Sequence, residues 1–557
     1  MSLIRKTALA LGATTVVAGG ALAYVHFKGV PFAGGEAAGY ASAQVIPDDA
    51  TLALYVSAEP EAWAKLGQFG TAAMQKQLES GLQTLEKDAI AESGISFETD
   101  VLPVISGVTL AMLPATDVQS ADAPEYLVVV GIKNPTKALS LLAKINGGDD
   151  MTVEIFEHKG VKISQMTPKE KGSNPMFSAL LGQKLVISPL RRPVEMAIET
   201  TKGDPSLAEL PGAAAAFKGD LGLENPVARV YAPSYGKLVS SLMAASPSAP
   251  PLSAETQTQL EQIKSLQAGL GIGENGLHFK TVVNLDPKLR PADYKPSANQ
   301  LQTRFPANTI AYFNGQGIGQ SWAQMTEQAA ALPESAELFK LLRDGAKQVD
   351  LDLDKDIFAW MTGEFGFGVM PVAADQSLVG QVGFGTALVM DSGDRPTTEA
   401  TLKKLDQLAQ QNYLKPKSRK VGQTEVIEWL APGNPPEPMI GHGWIDSNSL
   451  FIAAGKPVVE AMTQAPQQPL STNPIFQAVM AELSQKGMGY GFINFEAALA
   501  TPQLNAALAL SPDPQTADAV RTVQAIGVAS NWDKADTSEL EVYIALKKTA
   551  ELEAKAR

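Results

Sequence analysis

Four histidines, His26, His158, His278 and His442, are the whole supply of imidazole in the chain. A hydrolytic triad or a histidine metal site needs such a ring at fixed spacing from a hydroxyl, a carboxylate or further ligands. None of the four stands in a G-x-S-x-G elbow, an H-E-x-x-H pair or another ligand-spaced cluster. Cysteine is absent, which removes thiol nucleophiles, thiolate metal sites and disulfides together. His158 falls in an expected hairpin and His278 in an expected strand, which are structural positions. Gly271-Ile272-Gly273-Glu274-Asn275-Gly276 satisfies G-x-G-x-x-G, but a dinucleotide cradle must pass from a strand into a helix that meets the pyrophosphate. Here the strand pattern Leu277 to Leu285 follows, and Asn275-Gly276 is a hairpin signal. Gly363, Gly366 and Gly368 sit in an apolar strand, where glycine marks a bulge or close backbone packing.

Asp100 and Asp356 recur before similar apolar segments, each seven residues ahead of a glycine, and are expected to cap turns by accepting backbone N–H bonds. Lys415, Lys417, Arg419 and Lys420 form the one dense basic run, suited to a solvated strand or to anionic head groups. No residue is assigned a catalytic, cofactor-binding or metal-binding role, no cofactor is implied, and the chain is not expected to be an enzyme.

The elements that would hold these residues come in two sets. Pro47 to Tyr55 (PDDATLALY) resembles Pro306 to Phe313 (PANTIAYF), each a proline-led turn entering an apolar strand, and Trp63 and Trp322 follow in helical stretches. DVLPVISG (Asp100 to Gly107) answers DIFAWMTG (Asp356 to Gly363), and LVISPLRRPVE (Leu185 to Glu195) answers LFIAAGKPVVE (Leu450 to Glu460). Proline and glutamate in a first helical turn suit its free N–H groups and its dipole. Landmarks in one order predict two diverged copies of one unit. Short alternating strands joined by tight turns, with helices interleaved, make each copy α+β: a mostly antiparallel sheet covered by helices. The expected fold class is therefore two tandem repeats after one N-terminal transmembrane helix.

That helix is read from Arg5 and Lys6 followed by the uncharged run Thr7 to Phe27, which as a helix would extend about 31 Å and cross a bilayer core. The basic side would stay in the cytoplasm, leaving the body in the periplasm or a thylakoid lumen. The expected organisation is a signal anchor or signal peptide over 1–27, a flexible stalk over 28–44, repeat domains over 45–285 and 304–557, and a proline-bearing linker over 286–303. Length and a 45% hydrophobic, 19% charged composition fit a multidomain globular protein. A net charge of −14 opposes nucleic-acid binding.

The proline-led strand, the tryptophan-bearing helix and the acid-to-glycine segment, occurring twice after an apolar N-terminus, resemble a bacterial, largely cyanobacterial family of membrane-anchored exported proteins catalogued only as a domain of unknown function. The resemblance implies a location and no activity. The expected function is a non-catalytic, membrane-tethered binding or scaffold protein with an envelope protein or lipid as partner. One alternative is a carrier for an apolar ligand, a lipid or pigment, motivated by abundant Ala, Leu, Val and Met. A further alternative is a hydrolase with an interdomain site.

Overall fold

The computed structural model describes residues 37–70, 75, 101–114, 125–134, 136–138, 151–169, 174–219, 221–244, 254–289, 296–329, 333–484, 487–510, 514–534, 536–550 and 552. By contact the chain forms two units, one of residues 1–286 together with 547–557, the other of 287–546.

The first unit begins with α1 (Ala37–Ala43). Its strands are β1 (Leu52–Ser57), β2 (Ile105–Leu113), β3 (Glu125–Ile132), β4 (Met151–His158), β5 (Val161–Pro168), β6 (Met176–Leu181), β7 (Lys184–Ser188), β8 (Pro226–Ala232), β9 (Ile263–Ile272) and β10 (Gly276–Leu285). They pair antiparallel in the order β10-β9-β8-β1-β2-β3-β7-β6-β5-β4. α2 (Arg191–Thr201) packs on β6 and β7 through Val194, Ala197 and Ile198. The core gathers these with Ile46, Leu127, Phe217 and Tyr231. The residues read as a stalk contribute to it: Ala43 is fully buried, and Gly39, with no side chain, lets the helix lie against the Tyr55 ring.

The second unit carries β11 (Ala311–Gln316), β12 (Glu364–Pro371), β13 (Phe384–Asp391), β14 (Lys415–Val421), β15 (Thr424–Ala431), β16 (Glu437–Trp444), β17 (Ser449–Ala454), β18 (Gly489–Asn494), β19 (Val523–Lys534) and β20 (Thr537–Leu546). They pair antiparallel as β20-β19-β18-β11-β12-β13-β17-β16-β15-β14. Its helices include α3 (Ile318–Ala329), α4 (Pro333–Lys347), α5 (Arg395–Gln411), α6 (Lys456–Met462) and α7 (Pro474–Ala481). α5 starts where the Asp394 carboxylate accepts the Thr397 N–H at 3.2 Å and Pro396 needs no partner for its nitrogen. α6 and α7 cover one sheet face through Val458, Val459, Phe476 and Val479 against Tyr312, Phe451 and Phe492.

The fold is α+β, with a large sheet and helices, but two parts of the expected fold class are corrected. Strand partners follow the same order in both units, yet the clean tandem pair is not there. Unit 1 is discontinuous and is completed by residues 547–557: Phe69 bridges Lys548, and Thr549 Oγ1 lies 3.2 and 2.9 Å from the carbonyls of Gln68 and Gly70. Landmark helices diverge as well, since Trp63 lies in the five-residue helix Pro60–Ala64 and Trp322 in the twelve-residue α3.

The second correction concerns the membrane. Thr7 to Phe27 lies outside the described residues, and among the described residues no helix is long and apolar enough to cross a bilayer. Even α5, of 17 residues, would reach only about 25 Å and carries charges along its length. The transmembrane helix, the signal anchor, the membrane as partner and the single-pass periplasmic or lumenal location are therefore not retained.

Candidate functional site

Several of the polar groups singled out in the sequence meet partners from their own unit. The Asp356 carboxylate accepts the Asp352 N–H at 2.9 Å and the Lys404 ammonium at 2.7 Å, and these hold it below the ordinary aspartate range, the backbone bond foremost. Asp352 caps the π-helical turn Leu353–Phe358, its side chain accepting the N–H groups of Asp354 and Lys355, and the Asp356 bond to the Asp352 N–H closes the same turn. Asp354 receives a two-pronged Arg343 contact, at 2.7 and 2.9 Å, and the Trp322 indole N–H at 2.7 Å. Trp322 in turn stacks on Phe358 with ring centres 4.2 Å apart. Asp100 and His26 lie outside the described residues.

His158 ends β4 at 3.1 Å from Glu199, beside Lys159 and Glu195 in a surface ion cluster. His278 lies in β10 opposite Gly271. His442, only 4% exposed, sits 2.8 Å from the Asp406 carboxylate, which also accepts the Trp429 indole N–H at 2.7 Å. A histidine–carboxylate pair of this kind could poise a nucleophile; here the Trp429 indole shares the same Asp406 oxygen with the ring. In the basic run Lys415 and Lys417 are solvated, while Arg419 grips the buried Glu428 at 2.6 and 2.9 Å and reaches Glu460 at 3.1 Å. The G-x-G-x-x-G segment is the β9–β10 hairpin, closed by the Gly273 N–H to Gly276 carbonyl bond at 2.9 Å. Among the described residues no group of three or more His, Asp or Glu is placed to hold a metal ion.

A different surface stands out, one whose members no sequence motif joins. Directly opposed residues of antiparallel strands point to the same face. With Tyr312, Phe492, Ala529 and Tyr543 turned into the core, the neighbouring positions share the opposite face of the sheet. Register aligns Phe367, Phe313, Gly491, Val528 and Val542 in one row across β12, β11, β18, β19 and β20. A second row, Val369, Ala311, Ile493, Ile526 and Ile544, runs beside it. Five strands at ~4.8 Å spacing make this apolar face about 19 Å wide.

Most of its side chains are half-buried, and Phe313 is 41% exposed. Gly491 opens a trough beside that ring, since a Cβ there would stand 3.1 Å from it. On the β13 flank Leu402 of α5 closes the face over Leu388 and Met390. In unit 1 the row Val108, Val56, Ala228, Leu270 and Phe279 is built alike, and Phe279 is exposed at its edge. Another hollow, of about 670 Å³, is wide-mouthed and lined by Ala307, Asn308, Gln467, Gln468, Asn473 and Pro474, a mixed polar and apolar wall.

The description "Protein of unknown function (DUF3352)" matches residues 9–546. The chain belongs to that family. Membership brings no activity and no anchor, which corrects the membrane-anchored character attached to the family resemblance. No curated protein matches the chain. Among solved structures, "Structure of crystal form IV of TP0453" aligns at 13% identity over 44% of this chain and 81% of that one, with a TM-score of 0.26. "Structure of crystal form I of TP0453" aligns at 11% identity over 45% and 80%, with a TM-score of 0.24.

Proposed function

We propose that this protein is a non-catalytic carrier of an elongated apolar ligand, an acyl chain or a compound of that shape, held along the outer face of the β12-β11-β18-β19-β20 sheet. This replaces the membrane-tethered scaffold expected from sequence, whose tether has no helix among the described residues. The observation that carries the reading is Phe313, a phenylalanine 41% exposed in the middle of a sheet, beside a glycine trough and flanked by half-buried Val and Ile. An exposed apolar patch bounded by a folded sheet is a ready contact for apolar surface, because covering it removes its area from water. The polar clusters support a non-catalytic role: Asp354 and Glu428 each spend both carboxylate oxygens on an arginine of the same fold.

Organic extraction of the full chain purified from its own cells, followed by mass spectrometry, tests the proposal. A stoichiometric apolar compound is the expected result. Extracts without one, together with failure of the stripped chain to bind a fluorescent acyl probe, would reject it.

A further inference from the structure

The strand order of the first unit ends on β4, which among the described residues pairs with β5 alone. Lys159 (φ 47°) and Gly160 (φ 78°) form the two-residue turn that joins them, so His158 and Val161 are a hydrogen-bonded pair. Bonding alternates along a strand, and the N–H and C=O groups of Val153, Ile155 and Glu157 therefore point away from β5, toward the open edge. Ile155 and Val153 also share one face of the sheet, where they are 63% and 36% exposed.

β14, the last strand in the order of the second unit, is built differently. It too closes on its neighbour through a two-residue turn, Gly422-Gln423, so positions 416, 418 and 420 face its open edge. There Pro416 has no N–H to offer, and the exposed Lys415, Lys417 and Lys420 would repel a strand of their own kind. β4 contains neither proline nor lysine.

We propose that the open edge of β4 is a homodimer contact, in which a second copy of this chain adds its own β4 antiparallel with Ile155 on the two-fold axis. A strand that pairs with itself must be complementary to itself, and this one is at a single register. With Ile155 on the axis, its outward groups meet those of Ile155 in the second copy, and Val153 meets Glu157 twice, for about six backbone bonds. The two exposed isoleucine side chains then cover each other. Glu154 falls opposite Phe156 of the second copy, whose ring carries the Arg191 guanidinium at 4.9 Å, and no carboxylate stands directly opposite another. An axis at Glu154 sets two carboxylates face to face, and an axis at Phe156 runs Lys159 of the turn into the ladder. The contact uses up the edge in both copies, so association stops at two. A strand of eight residues is about 27 Å long, and its edge alone offers less than the roughly 800 Å² per partner of a stable interface. The dimer is therefore reversible and concentration-dependent.

Sedimentation velocity of the full chain over a hundredfold concentration range is the test, with hydrogen exchange of residues 151–158 followed on the same samples. The expected result is a monomer–dimer equilibrium in which exchange of this strand slows at least tenfold from the most dilute sample to the most concentrated. Ile155→Pro removes an outward N–H and leaves the β5 ladder intact, so it should shift the equilibrium at least tenfold toward monomer, as should Ile155→Lys. The natural chain has no cysteine, and the Cα atoms of two copies of residue 155 would stand about 5.5 Å apart. Oxidation of Ile155→Cys should therefore give a disulfide-linked dimer, while Ser418→Cys, at the corresponding position of β14, should stay monomeric. A chain monomeric throughout, a dimer that keeps its affinity in both Ile155→Pro and Ile155→Lys, or cross-linking at Ser418→Cys as complete as at Ile155→Cys would overturn the proposal.

Discussion

Replacing Phe313 by alanine gives the ligand face a quantitative test. A phenylalanine side chain presents on the order of 200 Å². With 41% of Phe313 exposed, roughly 80 Å² remains for a ligand to cover. At about 25 cal/mol per Å² this is about 2 kcal/mol, or close to 30-fold in Kd. The buried part of the ring, about 120 Å², predicts a loss of about 3 kcal/mol in folding stability. A urea titration should show that loss as a lower midpoint with an unchanged slope.

The binding assay is a titration of a fluorescent acyl probe into the stripped full chain, well below its unfolding midpoint. Gly491→Val acts from the other side, filling the trough where a new Cβ stands 3.1 Å from the Phe313 ring. It should also weaken the probe. Leu510→Ala, at a residue 83% exposed and outside the two sheet rows, should not. If Phe313→Ala leaves probe affinity within twofold while the fold is intact, the apolar face is not the site.

Other consequences concern stability. Asp406→Ala deprives the half-buried Trp429 indole and the buried His442 ring of one shared acceptor, and at about 1–3 kcal/mol for each group it should cost about 2–6 kcal/mol by urea unfolding. Asp406→Asn, which keeps an acceptor oxygen, should cost clearly less; equal costs would refute the shared-acceptor account. Gly368→Ala pushes a methyl into the fully buried Phe305 ring and should lose about 1–3 kcal/mol, and an unchanged midpoint would contradict that packing. Asp354 and Asp356 are held below the ordinary carboxylate pKa, by Arg343 and by the Asp352 N–H with Lys404 respectively. Their contribution is complete above the unfolded value of about 3.9 and is lost as pH falls through their lower folded values. The acid limb of stability should therefore be shallower in Arg343→Met and Lys404→Met, and chemical denaturation between pH 2 and 6 would show whether it is.

What could be read from the sequence was the part set by neighbours along the chain. Alternation marked Leu52–Ser57 and Glu364–Pro371 as strands, and Asn275-Gly276 announced the hairpin that the glycine pattern alone would have disguised as a phosphate loop. Proline in the first turns of α2 and α6 was equally local. Asp356 was legible without its partner Asp352, four residues earlier, whose carboxylate accepts the Asp354 and Lys355 N–H groups while Asp356 accepts the Asp352 N–H. Ala and Gly in residues 37–43 read as a stalk because small side chains serve close packing as well as flexibility.

The ligand face was beyond reach for a different reason. Phe313, Gly491 and Val528 become neighbours only through pairing across long intervals, and a shift of one residue in any strand would turn its side chain into the core. The pair of His442 with Asp406 likewise needs both the β15–β16 register and the seat of α5.

The discontinuity of unit 1 bears on how the chain is made. Residues up to 286 leave the ribosome about 260 residues before Lys547, a delay on the order of tens of seconds at 5–20 residues per second. Through that interval Gln68, Phe69 and Gly70 await Lys548 and Thr549. Unit 1 is thus closed by contacts that form only after residues 547–549 have been made, not on emergence of its first 286 residues.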